Sequence, residues 1–199
     1  MRTACVFSGS SPGARPGYAA AARSLGQELI ARRIRLVYGG ASVGLMGILA
    51  DTVLAGGGTV IGVIPEQLVD KEISHDGLSE LRITSSMHER KATMADLSDG
   101  FLALPGGYGT LEEFAEVLTW SQLGLQRKPC GLLDVEDFYR PLLSFFDHAV
   151  AEGFVRPEHR DLVLSDADPA RLLDALAAWI PPTVSKWMDP TPLGAADGR

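Results

Sequence analysis

The chain has 199 residues, of which 46% are hydrophobic and 22% are charged, and its formal net charge is −7. This composition is typical of one folded domain with a full hydrophobic core and excludes a disordered chain. The acidic balance argues against nucleic acid or an anionic membrane as a partner. No apolar run approaches the roughly 20 residues of a membrane helix, and the apolar part of the N-terminus is too short for a signal peptide. We therefore expect a cytoplasmic protein.

Strand and helix patterns alternate through the first half of the chain. Strands are predicted at 2–8, 35–38, 59–64, 81–84 and 101–104. Helices are expected after the first, second and fourth of these strands, over about 18–29, up to about residue 55, and over 86–97. The polar stretch 66–80 has no clear pattern.

The second half continues the alternation. A helix is predicted from Leu111 to about Gly124, followed by a strand at 130–133, a helix over 138–149 and a short strand at 162–165. Asp168 and Pro169 are typical of a helix start, and that helix is expected to run to Ile180. Such βαβ units predict a doubly wound, mainly parallel α/β sheet in a single domain over residues 1–182. The Pro- and Gly-rich residues 183–199 are expected to form an extended tail.

Three loops rich in glycine or serine follow predicted strands. They are Ser8-Gly9-Ser10, the stretch from Gly39 to Gly47, and the stretch from Pro105 to Thr110. Ligands of doubly wound sheets bind at the carboxyl ends of the strands, so these loops are candidate binding segments. The second loop is also compatible with a simple tight turn. Neither a G-x-G-x-x-G fingerprint nor a loop ending in G-K-[ST] is present, which argues against dinucleotide-binding and P-loop proteins.

The third loop, Pro105-Gly106-Gly107-Tyr108-Gly109-Thr110, lies between a predicted strand and a predicted helix. Its backbone N–H groups and the positive end of the helix dipole favour an anion such as phosphate. Glu112 and Glu113 follow at once, and two carboxylates are unexpected beside a bound phosphate. The sequence therefore predicts that the loop binds phosphate and that one of the carboxylates acts chemically.

Two adjacent cations, Arg90 and Lys91, occur near the start of another predicted helix. Cations at this end oppose the helix dipole and cost about 0.3–1 kcal/mol each. Their position suggests a nearby phosphate or acidic partner, although an ordinary solvent-exposed charge pair remains an alternative.

Other reaction classes have weaker support. The four histidines, His75, His88, His148 and His159, lack the spacing of a metal site and are expected to face solvent. No G-x-S-x-G elbow is present for a serine hydrolase. Cys5 and Cys130 fall in predicted strands and are expected to be buried free thiols.

The remaining groups fit a nucleoside 5′-monophosphate. The glycine loop and the cations would hold the phosphate, the ribose would lie near Glu113, and the base would contact apolar side chains. Cleavage of the N-glycosidic bond passes through an oxocarbenium-like state that a carboxylate can stabilise. General-base action on water adds about 10²–10⁴-fold.

The segment Pro105-Gly106-Gly107-x-Gly109-Thr110-x-x-Glu113 resembles the P-G-G-x-G-T-x-x-E signature of the LONELY GUY family. This family comprises cytokinin riboside 5′-monophosphate phosphoribohydrolases that were long labelled lysine decarboxylases. The likeness covers most of the chain, from the Ser8-Gly9-Ser10 turn to about Leu133. It includes Tyr38-Gly39-Gly40 with Gly44-Leu45-Met46-Gly47, and Met87-His88-x-Arg90-Lys91.

The resemblance implies a modified Rossmann-like fold, a homodimer, and a reaction that needs no metal and no cofactor. It implies that Arg90 and Glu113 are the catalytic pair. If Glu113 is not the carboxylate that acts chemically, its neighbour Glu112 is the next candidate. The sequence leaves open whether Arg90 fixes the phosphate or polarises the leaving base. The residues it implies for substrate binding are Ser8, Gly9, Gly40, Gly44, Glu72, Met87, Lys91, Gly107, Tyr108, Gly109, Thr110 and Thr119. Ala41 replaces a glycine found in many members, which requires a negative φ at that position.

Two other functions agree less well with these residues. A nucleotide-binding carrier or sensor would use the same fold without turnover, but it has no need of a carboxylate at an anion-binding helix start. A pyridoxal phosphate decarboxylase needs a Schiff-base lysine. Of the four lysines, only Lys91 lies beside the glycine loops, and nothing in its surrounding sequence marks it for that role. The sequence does not identify the natural base.

Overall fold

The computed structural model describes residues 1–69 and 74–182. Its seven strands form one sheet in which each strand pairs with its neighbours in parallel. The strands are β1 (Thr3–Phe7), β2 (Arg35–Tyr38), β3 (Val60–Pro65), β4 (Glu80–Thr84), β5 (Gly100–Ala103), β6 (Cys130–Leu133) and β7 (Val163–Asp166). Their order across the sheet is β4-β3-β2-β1-β5-β6-β7. The predicted doubly wound α/β class is confirmed.

The helices are α1 (Pro16–Ala31), α2 (Gly44–Ala55), α3 (Glu66–Val69), α4 (Met87–Leu97), α5 (Tyr108–Gln122), α6 (Arg140–Ala151), α7 (Pro157–Arg160) and α8 (Pro169–Ala178), with a 3₁₀ turn at Val135–Asp137. The sequence missed α3 and α7, because four residues are too few to show helical periodicity. It also began α5 at Leu111, whereas the helix starts at Tyr108. Asp168 caps α8 as predicted, since its carboxylate accepts a hydrogen bond from the N–H of Arg171.

The sheet separates two apolar layers. Helices α1, α2 and α8 pack on one face, through side chains such as Leu25, Leu49 and Leu172. Helices α4 and α5 pack on the other, through side chains such as Met94 and Phe114. The inner strands β1, β2, β3, β5 and β6 are almost wholly buried and mainly apolar, as expected of a parallel sheet covered by helices on each side.

The order of the strands reverses at β1, which pairs with β2 on one side and β5 on the other. The loops after β1 and β5 therefore diverge at the switch point, where ligands of such folds bind. Helix α4 contacts β1 to β4, and α5 contacts β1, β5 and β6, so the two helices meet above β1. This topology brings α4 and the glycine loop of α5 to one edge of the sheet.

Cys5 and Cys130 are buried free thiols, as predicted. Burial raises the pKa of Cys5 well above its usual value and that of Cys130 to about 12, so neither thiol is suited to act as a nucleophile near neutral pH. Glu72 and the predicted tail 183–199 lie outside the described residues. Among the residues that are described, no helix is both long and apolar enough to cross a membrane.

Candidate active site

The N-terminus of α5 presents backbone donors to open space. Gly107 is the N-cap, and no side chain of the described residues caps this end. The first N–H groups of a helix have no partner within the helix and carry a partial positive charge. A methyl group built on Gly107 or Gly109 would have no neighbour within 4 Å. Neither glycine has a positive φ, so the space beside them, rather than the backbone, explains the absence of side chains.

The loop after β1 packs directly against the glycine loop. The N–H of Gly9 donates to the carbonyl of Pro105 at 3.1 Å, and the N–H of Leu45 donates to the carbonyl of Gly9 at 3.0 Å. A Cβ at Gly106 would overlap the hydroxyl of Thr110 and lie 2.9 Å from the nitrogen of Gly9. Gly106 is therefore required by close approach, and the loops form one rigid floor.

Gly40 and Gly44 shape the neighbouring loop rather than line the cavity. Their φ angles are +84° and +62°, which glycine adopts readily. The backbone of Gly44 lies so close to Ser10 that a Cβ would overlap it. Ala41 is not among the residues with positive φ, so its methyl group meets the condition set by the sequence. The tight turn that the sequence left as an alternative is thus one function of this loop.

A cavity of about 310 Å³ opens above this floor. Its lining combines residues 8–10 and 107–110 with Arg90, Glu112 and Glu113. Met46, Leu68 and Met87 add apolar surface. The volume is within the usual range for small-molecule sites, and a mixture of backbone donors, charges and apolar side chains suits a ligand with an anionic and an apolar end.

Arg90 is held at the carboxyl ends of β2 and β3. Its Nε donates to the carbonyl of Val63 at 3.0 Å, and a terminal nitrogen lies 3.5 Å from the carbonyl of Gly39. The other terminal nitrogen lies 3.6 Å from Oε1 of Glu113, an ion pair whose side chains are 8% and 12% exposed. A Cβ at Gly39 would overlap the guanidinium. The glycine thus makes room for a buried cation that faces a carboxylate.

The capping of α4 differs from the sequence interpretation. Ser86 accepts from the N–H of Glu89, and the carboxylate of Glu89 accepts from the N–H and hydroxyl of Ser85. This arrangement resembles a capping box, in which Glu89 is the acidic residue of the first turn. Arg90 and Lys91 follow one turn into the helix, where they are directed to partners in the fold instead of to solvent.

Lys91 binds two carboxylates of α5. Its Nζ lies 2.6 Å from Glu112 and 3.0 Å from Glu116, and its side chain is 10% exposed. Burial opposes the charge of Lys91, but the hydrogen bonds and charges of Glu112 and Glu116 outweigh it and raise its pKa. A Schiff-base lysine needs the opposite, a pKa lowered toward neutrality. This argues further against decarboxylase chemistry at Lys91.

The structure brings most of the sequence-predicted site residues into one cavity: Ser8, Gly9, Met87, Arg90, Gly107, Tyr108, Gly109, Thr110 and Glu113. Lys91 does not line this cavity. Thr119 lies further along α5, where its hydroxyl donates to the carbonyl of Ala115 and its side chain lines a separate apolar cavity.

Sequence reasoning missed Met46, because an apolar residue in a helical pattern is ordinarily core, and Leu68, because the stretch 66–80 showed no pattern. It also missed Glu116, which comes one turn after Glu112 and whose i, i+4 spacing was the available signal.

No group of three or more metal-ligating side chains occurs within residues 1–69 and 74–182. The expectation that the histidines face solvent was wrong for His75, whose side chain is 12% exposed and lies 2.9 Å from Asp51, and for His159. That ring is 5% exposed and lies 3.2 Å from the side-chain amide of Gln122. His159 lies within the short helix α7 and contacts the end of α5 through Gln122, which periodicity did not reveal.

Comparisons with known proteins agree with these observations. A family model described as possible lysine decarboxylase matches residues 46–176. A probable cytokinin riboside 5′-monophosphate phosphoribohydrolase of Oryza sativa subsp. japonica is 54% identical over 181 residues, which cover 91% of this chain and 80% of the relative. A cytokinin riboside 5′-monophosphate phosphoribohydrolase of Arabidopsis thaliana is 51% identical, over 89% of this chain and 82% of the relative.

Solved structures share the fold at lower identity. A molybdenum cofactor binding protein from Rippkaea orientalis has a TM-score of 0.67 and 22% identity, covering 89% of this chain and 96% of its own. The Moco carrier protein of Chlamydomonas reinhardtii has a TM-score of 0.67, 24% identity and the same coverage. At these identities the likeness concerns the fold alone.

Proposed function

Because the chain belongs to the LONELY GUY family of cytokinin riboside 5′-monophosphate phosphoribohydrolases, we propose that it hydrolyses the N-glycosidic bond of adenosine-type 5′-monophosphates. The products are the free base, a cytokinin where the adenine carries an N6 substituent, and ribose 5-phosphate. One observation carries the proposal. The Arg90–Glu113 ion pair lines the same cavity as the uncapped N-terminus of α5, so a carboxylate is available to a substrate whose phosphate sits on the helix.

The phosphate binds at the start of α5. The open space at Gly107 and Gly109 accepts its oxygens, and the N–H groups of the first turn donate to them. Ser8 adds a hydroxyl that is buried and has no hydrogen-bond partner among the described residues. These contacts persist throughout the reaction and therefore position the ribose.

The base lies against the apolar side of the cavity. Met46 and Leu68 line it, and Met87, which is 41% exposed, lines the same cavity. Methionine adapts its shape and contacts aromatic rings favourably. In this proposal one end of the site binds the phosphate, the other binds the base, and Glu113 acts on the ribose that joins them.

Glu113 acts on the ribose. As the bond between the anomeric carbon and the base nitrogen breaks, positive charge develops on the sugar, and the carboxylate stabilises it. The oxygen of water bonds to the anomeric carbon, Glu113 orients that water, and the proton that water loses balances the one gained by the leaving base. Arg90, fixed by backbone carbonyls, holds Glu113 in place through the ion pair and presents its charge to the cavity.

The test is release of base. The protein is incubated with AMP and with isopentenyladenosine monophosphate, and free base is followed by chromatography. We expect release from at least one of them, with ribose 5-phosphate in equal amount. Binding of both nucleotides without release of base would instead identify a carrier or sensor.

A homodimer in the cytoplasm is part of the proposal. Leu125, at the end of α5, is 72% exposed, and Ile180 is 83% exposed, so apolar surface is available for a second copy. Two buried free thiols suit a reducing compartment. The charge of −7 disfavours nucleic acid and membrane surfaces as partners. Light scattering after size-exclusion chromatography would measure the mass, and a monomer at micromolar concentration would contradict the dimer.

A further inference from the structure

The seam between α4 and α5 contains two ion-pair contacts of different kind. Arg90 and Lys91 are adjacent on α4, and Glu112 and Glu113 are adjacent on α5. The contact at Arg90–Glu113 is 3.6 Å, too long for a hydrogen bond. The contacts of Lys91 with Glu112 and Glu116 are 2.6 and 3.0 Å. The short contacts therefore belong to Lys91, which does not line the cavity, and not to Arg90.

The geometry of Lys91 restricts how the two helices are placed. Glu112 and Glu116 are separated by one helical turn and share a face of α5. A single ammonium bound between them fixes the rotation of α5 and its position along its axis. Because Arg90 precedes Lys91 and Glu113 follows Glu112, the same contacts set the separation of Arg90 and Glu113.

We propose that Lys91 is a positioning residue that aligns Glu113 with Arg90, and that Glu116 anchors it. The inference rests on the proposed function, because the reaction is what the alignment serves. It differs from the role implied by the family resemblance, in which Lys91 holds the phosphate. In the structure the ammonium is directed to two carboxylates, and Lys91 does not line the cavity beside Gly107 and Gly109.

A phosphate-binding role and a positioning role of Lys91 predict different effects for Glu116→Gln. If Lys91 bound phosphate, loss of a competing carboxylate would free the ammonium and lower KM for the nucleotide. If Lys91 positions Glu113, the same change loosens the seam and lowers kcat while KM stays the same. Lys91→Met separates the roles as well, because a phosphate ligand affects KM and product binding, whereas a positioning residue affects kcat.

The experiment compares Lys91→Met, Lys91→Arg, Glu116→Gln and the double variant in the base-release assay. Inhibition by ribose 5-phosphate reports phosphate binding independently of turnover. We expect Lys91→Met to lower kcat up to about 100-fold, the effect of a misplacement of about 1 Å. KM and the inhibition constant should stay within about threefold, and Lys91→Arg should recover most of the rate, because arginine restores a cation between the carboxylates.

Glu116→Gln keeps the contact with Glu112, so we expect a smaller loss in kcat, about 3–10-fold. Since Glu116 acts through Lys91, the double variant should be no slower than Lys91→Met alone. Arg160→Met is the matched control. Arg160 is a partly buried cation of α7 that bonds Asp147 of α6 at 2.6 Å, outside the cavity, and its loss should leave kcat within about twofold.

Several results would overturn the inference. One is a Lys91→Met variant that raises KM and the inhibition constant more than about tenfold at unchanged kcat, because that identifies a phosphate ligand. Another is a lowered KM in Glu116→Gln. If Lys91→Met does not fold, Lys91→Arg and Glu116→Gln still decide. Wild-type protein that releases no base overturns both proposals, whereas active wild-type protein with unaffected variants overturns this one alone.

Discussion

Replacing Glu113 by glutamine removes one negative charge from the cavity and keeps the shape of the side chain. The side chain of Glu113 is 12% exposed, so its surroundings correspond to an effective dielectric constant of about 20. A full positive charge on the ribose, about 4.5 Å from the carboxylate, is then stabilised by about 3.7 kcal/mol. Loss of that stabilisation predicts a fall in kcat of roughly 500-fold.

The same substitution affects binding and stability differently. It removes negative charge near the phosphate, so KM should remain unchanged or fall. Arg90 loses its charged partner but keeps the carbonyl of Val63, and glutamine retains an oxygen. We therefore expect a loss in unfolding free energy of about 1–3 kcal/mol, less than the ~3–5 kcal/mol of a fully broken buried pair. For a domain of this size that lowers Tm by about 2–4 °C per kcal/mol.

The assay is initial-rate release of base with saturating nucleotide, with thermal unfolding of each variant measured in parallel. Glu112→Gln is the comparison, because Glu112 is 56% exposed and Lys91 retains Glu116. We expect it to lose less than about tenfold in kcat. A folded Glu113→Gln protein with a rate within about threefold of wild type would refute the assignment of Glu113. A severe loss in Glu112→Gln at the same time would transfer the role to Glu112.

Three further changes test other parts of the site. Gly109→Ala places a methyl group in open space in the first turn of α5, so stability should be unchanged or rise by up to about 1 kcal/mol in urea unfolding, while KM rises about 10–100-fold if phosphate occupies that space. An unchanged KM would contradict phosphate binding there. In Gly39→Ala the new methyl group overlaps the guanidinium of Arg90, so we expect the unfolding free energy to fall by about 1–3 kcal/mol. We expect kcat to fall while KM changes little. Normal kinetics would show that Arg90 is not held in place by this contact. For Lys91, burial opposes the charge but its two carboxylate partners prevail and raise the pKa. Its ion pairs therefore stabilise the fold below the ordinary lysine pKa of about 10.4, and the difference in unfolding free energy between wild type and Lys91→Met should shrink as pH rises above it. A difference that is independent of pH up to 11 would contradict this.

The strands were predictable from sequence because each is a short apolar run bounded by a turn. The strand at 35–38 and the one at 130–133 agree with the structure to the residue. The start of α5 was not predictable from periodicity, because Gly109 and Thr110 carry no apolar pattern and the first turn is instead defined by the cap at Gly107. At this helix start no side chain caps the first N–H groups, so the sequence carries no capping residue that would mark where the helix begins.

The site was predictable only in part. The motifs identified Arg90 and Glu113, and the order of strands explains why residues 23 positions apart meet, since α4 and α5 both pack above β1. The destination of the lysine ammonium depends on the rotation of both helices, which no local pattern specifies. Met46 was overlooked because an apolar residue in a helix is indistinguishable from core until its surroundings are known, and Leu68 because its short helix shows no periodicity.

The charges at this seam explain how one cavity could hold both the phosphate and the catalytic carboxylate that we propose. Arg90 and Lys91 supply two positive charges against the three negative charges of Glu112, Glu113 and Glu116, so the cluster by itself does not attract an anion. The attraction for phosphate therefore comes from the backbone dipoles of α5. These dipoles do not titrate, and they keep their orientation when the sugar becomes cationic. Lys91 pairs with Glu112 and Glu116, so in the proposed reaction Glu113, which Arg90 holds, is the carboxylate that faces the developing cation. If Arg90 and Lys91 both bound the phosphate instead, Glu112 and Glu116 would lose their contacts with Lys91 and their charges would no longer be neutralised.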